Sequence, residues 1–172
     1  MRQQWPQFRG PFGLGVAGSA DLPVSWDAKS GEGVLWKTQV PLPGNNSPVV
    51  WGDNVFLSGA TDKERGVFCF DAKSGALRWH TPVKEMAQRP AEPKEVMEDT
   101  GYAPATCATD GRHVFATFPN ADVACCDLEG KQVWARGFGW PNNSYGHASS
   151  LAVYENLLFV LEKDITKPDV VI

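Results

Sequence analysis

The sequence has no hydrophobic run that approaches the ~18 apolar residues of a transmembrane helix, so no membrane span is expected. It also lacks an excess of basic residues: 16 lysines and arginines stand against 20 aspartates and glutamates, and the net charge is −4. Nucleic acid is therefore not an expected partner, because phosphate binding requires a basic surface. No charged and apolar leader precedes Trp5, so we expect a secretory signal to be absent or already removed.

Cysteine and histidine are scarce, with four and three residues among 172. No two cysteines have the C-x-x-C spacing of zinc sites, and a disulfide framework would be denser and more regular. The histidines lie far apart in the sequence. These residues are Cys69, Cys107, Cys125, Cys126, His80, His113 and His147. We expect neither a disulfide framework nor a structural zinc site.

Long amphipathic helices are also missing, because no segment sustains an apolar period of 3.6 residues. The sequence has instead 17 glycines and 13 prolines, which favour turns, and 7 tryptophans. With 42% hydrophobic and 21% charged residues, the composition is that of a globular protein. The expected class is an all-β fold of short strands.

A turn followed by a tryptophan occurs three times. The tryptophans are roughly 40 to 55 residues apart, as in a repeat protein. In such turns the aspartate caps backbone N–H groups and the glycine adopts a positive φ. The copies run from Asp27 through Gly31 to Trp36, from Asp71 through Gly75 to Trp79, and from Asp127 through Gly130 to Trp134. We predict that Trp79 lies at a seam between two units, where its large ring is buried.

Paired strand-like runs accompany these turns: 47–50 with 55–57, 103–106 with 114–116, and 148–151 with 157–160. Four short antiparallel strands per unit, at a period in the low forties, are typical of β-propeller blades. We predict the end of one blade at 5–40, blades at 47–83 and 103–138, and an incomplete blade at 148–172. Residues 84–100 are predicted to form an inserted, solvated loop.

The segment from Asp71 to Trp79 resembles the tryptophan-docking motif of pyrroloquinoline-quinone-type propellers, which are WD40-like in their blade architecture. Together with Trp5–Pro11, it makes the chain similar to the PQQ-like repeat proteins of planctomycete-type bacteria. The resemblance implies eight blades and a periplasmic or cell-envelope location. It also implies relatives of two kinds, namely quinoprotein dehydrogenases and cofactor-free binding scaffolds such as the outer-membrane assembly lipoprotein.

Eight blades would need roughly 340 residues, whereas this chain supplies about three. We expect the remaining blades to belong to the same protein, with completion by another copy of the chain as the alternative. The residues expected to hold neighbouring blades together are Asp27, Trp36, Asp71, Gly75, Trp79, Asp127, Gly130 and Trp134.

Under the resemblance to the dehydrogenases, Cys125 and Cys126 would form a vicinal disulfide and PQQ would sit above a calcium ion. Both cysteines, however, occupy strand positions just before a turn, which favours two buried thiols that point to opposite faces. Oxygen donors for calcium could come from Asn45, Asn46, Asn142, Asn143 and Asp164, although asparagines in such segments more commonly form loops. We therefore expect no cofactor, and His80 is expected to be solvated or at a seam.

The loops that lead into each unit are the expected binding surface, at the face of the central channel. They contain Asn45, Asn46, Tyr102, Tyr145 and His147, which suit contact with a protein or small molecule. The alternative is that these side chains only stabilise the loops. Our leading hypothesis is a non-catalytic propeller scaffold in the cell envelope. The alternatives are a fragment of a PQQ- and calcium-dependent dehydrogenase, or a domain appended to a signalling protein.

Overall fold

Alternating apolar residues build antiparallel sheets in the computed structural model, which describes residues 4–18, 23–84, 95–163 and 168–171. The first sheet contains β1 (Val49–Trp51), β2 (Asn54–Ala60), β3 (Arg65–Asp71) and β4 (Leu77–Pro82). The second contains β5 (Ala108–Thr109), β6 (His113–Thr117), β7 (Asp122–Asp127) and β8 (Gln132–Gly137). The third contains β9 (Ala152–Tyr154), β10 (Leu157–Lys163) and β11 (Pro168–Val171). Each sheet is a meander in which sequential strands pair.

The sheets stack face to face because successive side chains of each strand point to opposite faces. In β2, Val55 packs into a cluster on the outer face of the first sheet, whereas Phe56 packs between the first and second sheets. In β7, Cys126 joins that same inner cluster, and Cys125 packs between the second and third sheets. Stacked four-stranded meanders of this kind are β-propeller blades, which confirms the predicted fold class. The described sheets do not close into a ring.

Trp79 lies at the seam between the first and second sheets, and Trp36 packs on the outer face of the first sheet. The Trp36 Nε1–H donates to the carbonyl of Ala72 (3.0 Å), and the Trp79 Nε1–H donates to the carbonyl of Leu128 (2.8 Å). Each ring also covers the glycine of the turn that it meets. A Cβ added at Gly75 would lie 2.5 Å from the Trp36 ring, and one at Gly130 would lie 2.7 Å from the Trp79 ring.

The innermost strands begin later than the sequence pattern predicts. The run at 103–106 is buried but not paired as a strand, and β5 starts at Ala108. Pro104 has no N–H to donate to a sheet, and the backbone before β5 bonds to neighbouring sheets instead. The Ser47 N–H donates to Thr106 Oγ1 (3.1 Å), and the Thr106 N–H donates to Ser150 Oγ (3.1 Å). These hydroxyls link the three sheets at equivalent positions.

The N-terminal segment crosses the inner strands of all three sheets. Trp5 forms an antiparallel bridge with Val50 of β1, and the Pro6 carbonyl accepts the Thr109 N–H of β5 (2.8 Å). Gln7 Oε1 accepts the Val153 N–H of β9 (3.2 Å). This segment therefore ties the three blades together at their inner edges.

Parts of the predicted organisation fall outside the described residues. Most of the insertion at 84–100 does so, as does part of the blade at 148–172. A 3-10 turn is described at Pro11–Gly13. No helix in the described part of the chain is long and apolar enough to cross a membrane.

Candidate functional site

The three sheets share one end, here called the loop end, where the loops before β1, β5 and β9 meet the β2–β3 and β6–β7 turns. The opposite end, here called the turn end, carries the tight hairpin turns and the N-terminal segment. All five binding residues predicted from the sequence belong to loop-end segments: Asn45, Asn46, Tyr102, Tyr145 and His147. The structure does not gather them into a single pocket.

Asn46 and Asn45 use their side chains to hold the loops. Asn46 Nδ2 donates to the carbonyls of Ser58 (2.8 Å) and Ala103 (2.9 Å), so it joins the first sheet to the loop before β5. Asn45 Nδ2 donates to the carbonyls of Asp99 (3.1 Å) and Thr100 (3.2 Å). Both amides thereby satisfy backbone carbonyls that would otherwise need water.

A cleft of about 350 Å³ opens between the first and second sheets at the loop end. Tyr102 lines it together with Asn45, Asp62 and Glu98. The tyrosine also packs against the cluster between the two sheets, so it combines a structural contact with a surface that faces the cleft. This cleft brings together two of the predicted residues.

A buried ion pair beneath Tyr102 is not apparent from the sequence. Arg65 Nη2 lies 2.7 Å from Asp122 Oδ2, and the two side chains are 12% and 6% exposed. Asn120 Nδ2 also donates to Asp122 Oδ2 (2.6 Å), and the Arg65 guanidinium lies 5.8 Å from the centroid of the Phe118 ring. The pair joins β3 to β7 and gives the floor of the loop end a fixed geometry.

Tyr145 and His147 line a second cavity of about 270 Å³, between the loop before β9 and Leu161 of β10. Tyr145 is 54% exposed, whereas His147 is 2% exposed. His147 Nδ1 lies 3.4 Å from Thr117 Oγ1, and its backbone N–H donates to the Pro119 carbonyl (2.8 Å). The Tyr145 side chain is therefore accessible from solvent, whereas the His147 side chain is buried and links its loop to the second sheet.

The buried ring of His147 should make the fold sensitive to mild acid. Burial lowers the pKa of His147, against an opposing effect of the Leu161 backbone. Below about pH 6.5 the unfolded chain takes up a proton at this residue that the folded chain resists, so stability falls as the pH falls toward the lowered pKa. We expect His147→Gln to remove part of this loss, measured as the change in urea midpoint between pH 7.5 and 5.5. Equal changes in the two proteins would contradict the assignment.

The two adjacent cysteines do not have the geometry of a vicinal disulfide. All four cysteines are free thiols, and Cys125 and Cys126 point into clusters on opposite faces of the second sheet. Burial raises the pKa of Cys125 to about 12 and that of Cys126 to about 11, so neither is an activated thiolate. Their strand register matches that of Cys69 and Phe70 in the first sheet.

The residues considered for calcium do not fit such a site. The amides of Asn45 and Asn46 bond to backbone groups, and Asn143 Oδ1 accepts the Tyr145 N–H (2.9 Å). Asp164 lies outside the described residues. Within the described ranges, no group of three or more histidine, cysteine, aspartate or glutamate side chains could hold a metal ion. Among the described residues, Asn45, Asn46 and Asn143 are therefore engaged in loop contacts rather than gathered with carboxylates, which calcium prefers.

Two further features lie away from the loop end. His80 stacks on Phe68, with ring centroids 4.5 Å apart, and is otherwise exposed. At the turn end, a cavity of about 700 Å³ lies between the N-terminal segment and the inner strands, lined by Gln7, Phe12 and Tyr154 among others. The sequence does not predict this cavity, because its walls form only when the N-terminal segment lies against the inner strands.

Comparison with known proteins identifies the repeat. The family model described as outer membrane protein assembly factor BamB matches residues 14–161. The crystal structure of BamB from Moraxella catarrhalis is similar with a TM-score of 0.54 and 17% identity, over 81% of this chain and 43% of that one. Among curated proteins, none matches the sequence.

Two solved dehydrogenases share the fold. A europium-containing methanol dehydrogenase has a TM-score of 0.50 and 14% identity, over 68% of this chain and 20% of that one. The quinohemoprotein alcohol dehydrogenase from Comamonas testosteroni has a TM-score of 0.50 and 15% identity, over 72% of this chain and 18% of that one. The chain thus spans less than half the length of each of these structures, and at these identities the likeness concerns the fold.

Proposed function

The chain belongs to the PQQ-like repeat family of the outer membrane protein assembly factor BamB, and we propose that it is a non-catalytic propeller scaffold that binds a protein partner in the bacterial cell envelope. The binding surface is the loop end, and the location is the periplasm. Membership of the family and the BamB-like fold support this choice.

The proposal rests on the different roles of the polar and the aromatic side chains at the loop end. Several of its polar side chains hold the loops, as with Asn46 and the Arg65–Asp122 pair. Its two clefts are each lined by a tyrosine, Tyr102 in one and Tyr145 in the other. Rigid aromatic side chains on a fixed frame are what protein interfaces favour, because they bury large area at low entropic cost.

The catalytic alternative is tested by reconstitution. The complete propeller that contains this chain is incubated with PQQ and calcium, and two quantities are measured: bound PQQ by equilibrium dialysis, and dye-linked oxidation of alcohols and sugars. The scaffold predicts no saturable PQQ binding and no oxidation above the protein-free background. Saturable binding together with calcium-dependent oxidation would refute the non-catalytic assignment.

The binding proposal is tested by a photo-crosslinking amino acid placed at Tyr145. The matched control is Tyr154, which is similarly exposed (62% against 54%) but lies in the turn end. In a bacterial periplasmic and membrane fraction, we expect discrete protein adducts from position 145 and none of the same mass from position 154. Identical adducts from both positions, or none from position 145, would contradict a protein-binding loop end.

A further inference from the structure

The walls of the cleft beside Tyr102 are held by their own hydrogen bonds. In the β2–β3 turn, the Glu64 N–H donates to Thr61 Oγ1 (3.2 Å). In the loop before β5, the Gly101 N–H donates to the Met97 carbonyl (3.0 Å). The cleft lies at the junction of the first and second sheets, and it is already shaped in the absence of a ligand. A preformed cleft lowers the entropic cost of binding.

Two carboxylates line this cleft, Asp62 from the β2–β3 turn and Glu98 from the loop before β5. Both residues are exposed, and among the described residues neither side chain has an ion-pair partner. By contrast, the carboxylates of Asp71 and Asp122 are paired with arginines. Lys63 lies in the same turn as Asp62 but does not line the cleft. The cleft therefore presents two negative charges that no described cation pairs with.

Tyr102 gives the same cleft an aromatic wall. The tyrosine packs against the cluster between the first and second sheets, which fixes its position. The face of an aromatic ring attracts a cation, and neighbouring carboxylates add a direct charge attraction. A cleft of about 350 Å³ with this lining fits the end of a basic side chain and disfavours an acidic one.

The cleft also adjoins the loop that carries Tyr145. A smaller pocket beside it is lined by Tyr102, Pro119 and Trp140. The same proline supports the loop before β9, because a Cβ added at Gly146 would lie 2.6 Å from the Pro119 Cβ. Pro119 is therefore a common neighbour of the two tyrosine-lined surfaces.

We propose that the loop end recognises its partner through a basic side chain, arginine or lysine, which enters the cleft that Asp62 and Glu98 line and lies against Tyr102. This inference rests on the proposed function, because it names the chemistry of the partner that the loop end binds. The partner segment is extended and continues over Pro119 toward Tyr145. The net charge of −4 favours the approach of a basic segment.

The test uses a short peptide in place of the partner. The probe is the capped peptide Gly-Ala-Arg-Ala-Gly, and its neutral isostere carries citrulline instead of arginine. Each is titrated into the complete propeller that contains this chain, and the NMR shifts of the Asp62 and Gly101 amides are followed. We expect saturable shifts with the arginine peptide alone. Sodium chloride at about 0.5 M should weaken this binding, because it screens exposed charges. Equal shifts with both peptides, or none with the arginine peptide, would overturn the proposal.

Two variants each remove one charge and keep the shape of the side chain. Asp62→Asn and Glu98→Gln should each raise the dissociation constant of the arginine peptide about threefold, and the double variant about tenfold. Glu64→Gln is the matched control, since it removes the same charge from the same turn but Glu64 does not line the cleft. It should bind like the wild type. An equal loss in Glu64→Gln would show a general charge effect and would contradict recognition by the cleft.

Crosslinking from position 145 separates this inference from the proposed function. If the partner enters the cleft with a basic side chain, the double variant Asp62→Asn with Glu98→Gln should give much weaker adducts than the wild type. Adducts that form undiminished in the double variant would refute the basic recognition and leave the scaffold role standing. An absence of adducts from the wild type would instead count against the scaffold role itself.

Discussion

Replacement of Gly75 by alanine should lower the free energy of unfolding by about 3 kcal/mol or more, from the summed costs of a left-handed alanine and of overpacking. Gly75 has φ of 70°, a region that an alanine occupies with strain. The new Cβ would also lie 2.5 Å from the Trp36 ring, which is held in place by its hydrogen bond to the Ala72 carbonyl. The ring must therefore move away and expose the apolar cluster that it covers.

The chain supplies its own control for this prediction. Gly31 occupies the same position of an identical five-residue turn, with φ of 84°, but nothing lies within 4 Å of an added Cβ. Gly31→Ala should therefore cost only the backbone strain, about 1 to 2 kcal/mol. Urea denaturation of both variants gives the two values. Equal losses in the two variants would mean that the Trp36 contact contributes nothing.

The comparison of these two glycines shows what the sequence could predict. The spacing from Asp71 to Gly75 and Trp79 is local, so it indicates the turn, the strand after it and the propeller class, and that class is confirmed. The residues that each tryptophan contacts, however, lie far from it in the sequence. Trp79 lies against Gly130 and Leu128 of the following repeat, a pairing that requires the order in which the sheets stack.

The candidate site was harder to predict, because the sequence does not show which of its residues are buried. Tyr145 and His147 are two positions apart in one loop, yet one is half exposed and the other is 2% exposed. Asn46 bonds to Ser58 and Ala103, a role set by tertiary contacts that composition does not reveal. The strand predicted at 103–106 failed for a related reason, since its backbone bonds to neighbouring sheets rather than to β6.

The N-terminal segment shows a further limit of pattern-based prediction. Trp5, Pro6 and Gln7 have no strand periodicity, yet they contact β1, β5 and β9 in turn. Each contact fills a hydrogen-bonding position on an inner strand that would otherwise be left without a backbone partner on that edge. The segment thereby lies along the inner edges of the three blades at the turn end, and it forms one wall of the cavity found there.

The frame beneath the loop-end clefts depends on the ion pair between Arg65 and Asp122, and Asp122→Asn should cost about 3 to 5 kcal/mol of stability. The substitution keeps the shape of the side chain but removes the negative charge that lies 2.7 Å from the guanidinium. Breaking one partner of a buried pair is costly, because the desolvated charge remains. Chemical denaturation at neutral pH measures the loss.

Lys73→Ala is the matched control for this substitution. The Lys73–Asp53 pair is longer, at 3.4 Å, and its side chains are 64% and 37% exposed, so its loss should change stability by less than about 1 kcal/mol. The double variant Arg65→Met with Asp122→Asn should lose less than the sum of the two single losses, because it leaves no buried charge without its partner. Additive losses would show that the two side chains act independently. In that case, the fixed geometry of the loop end would have to come from the loop asparagines and the tyrosine packing alone.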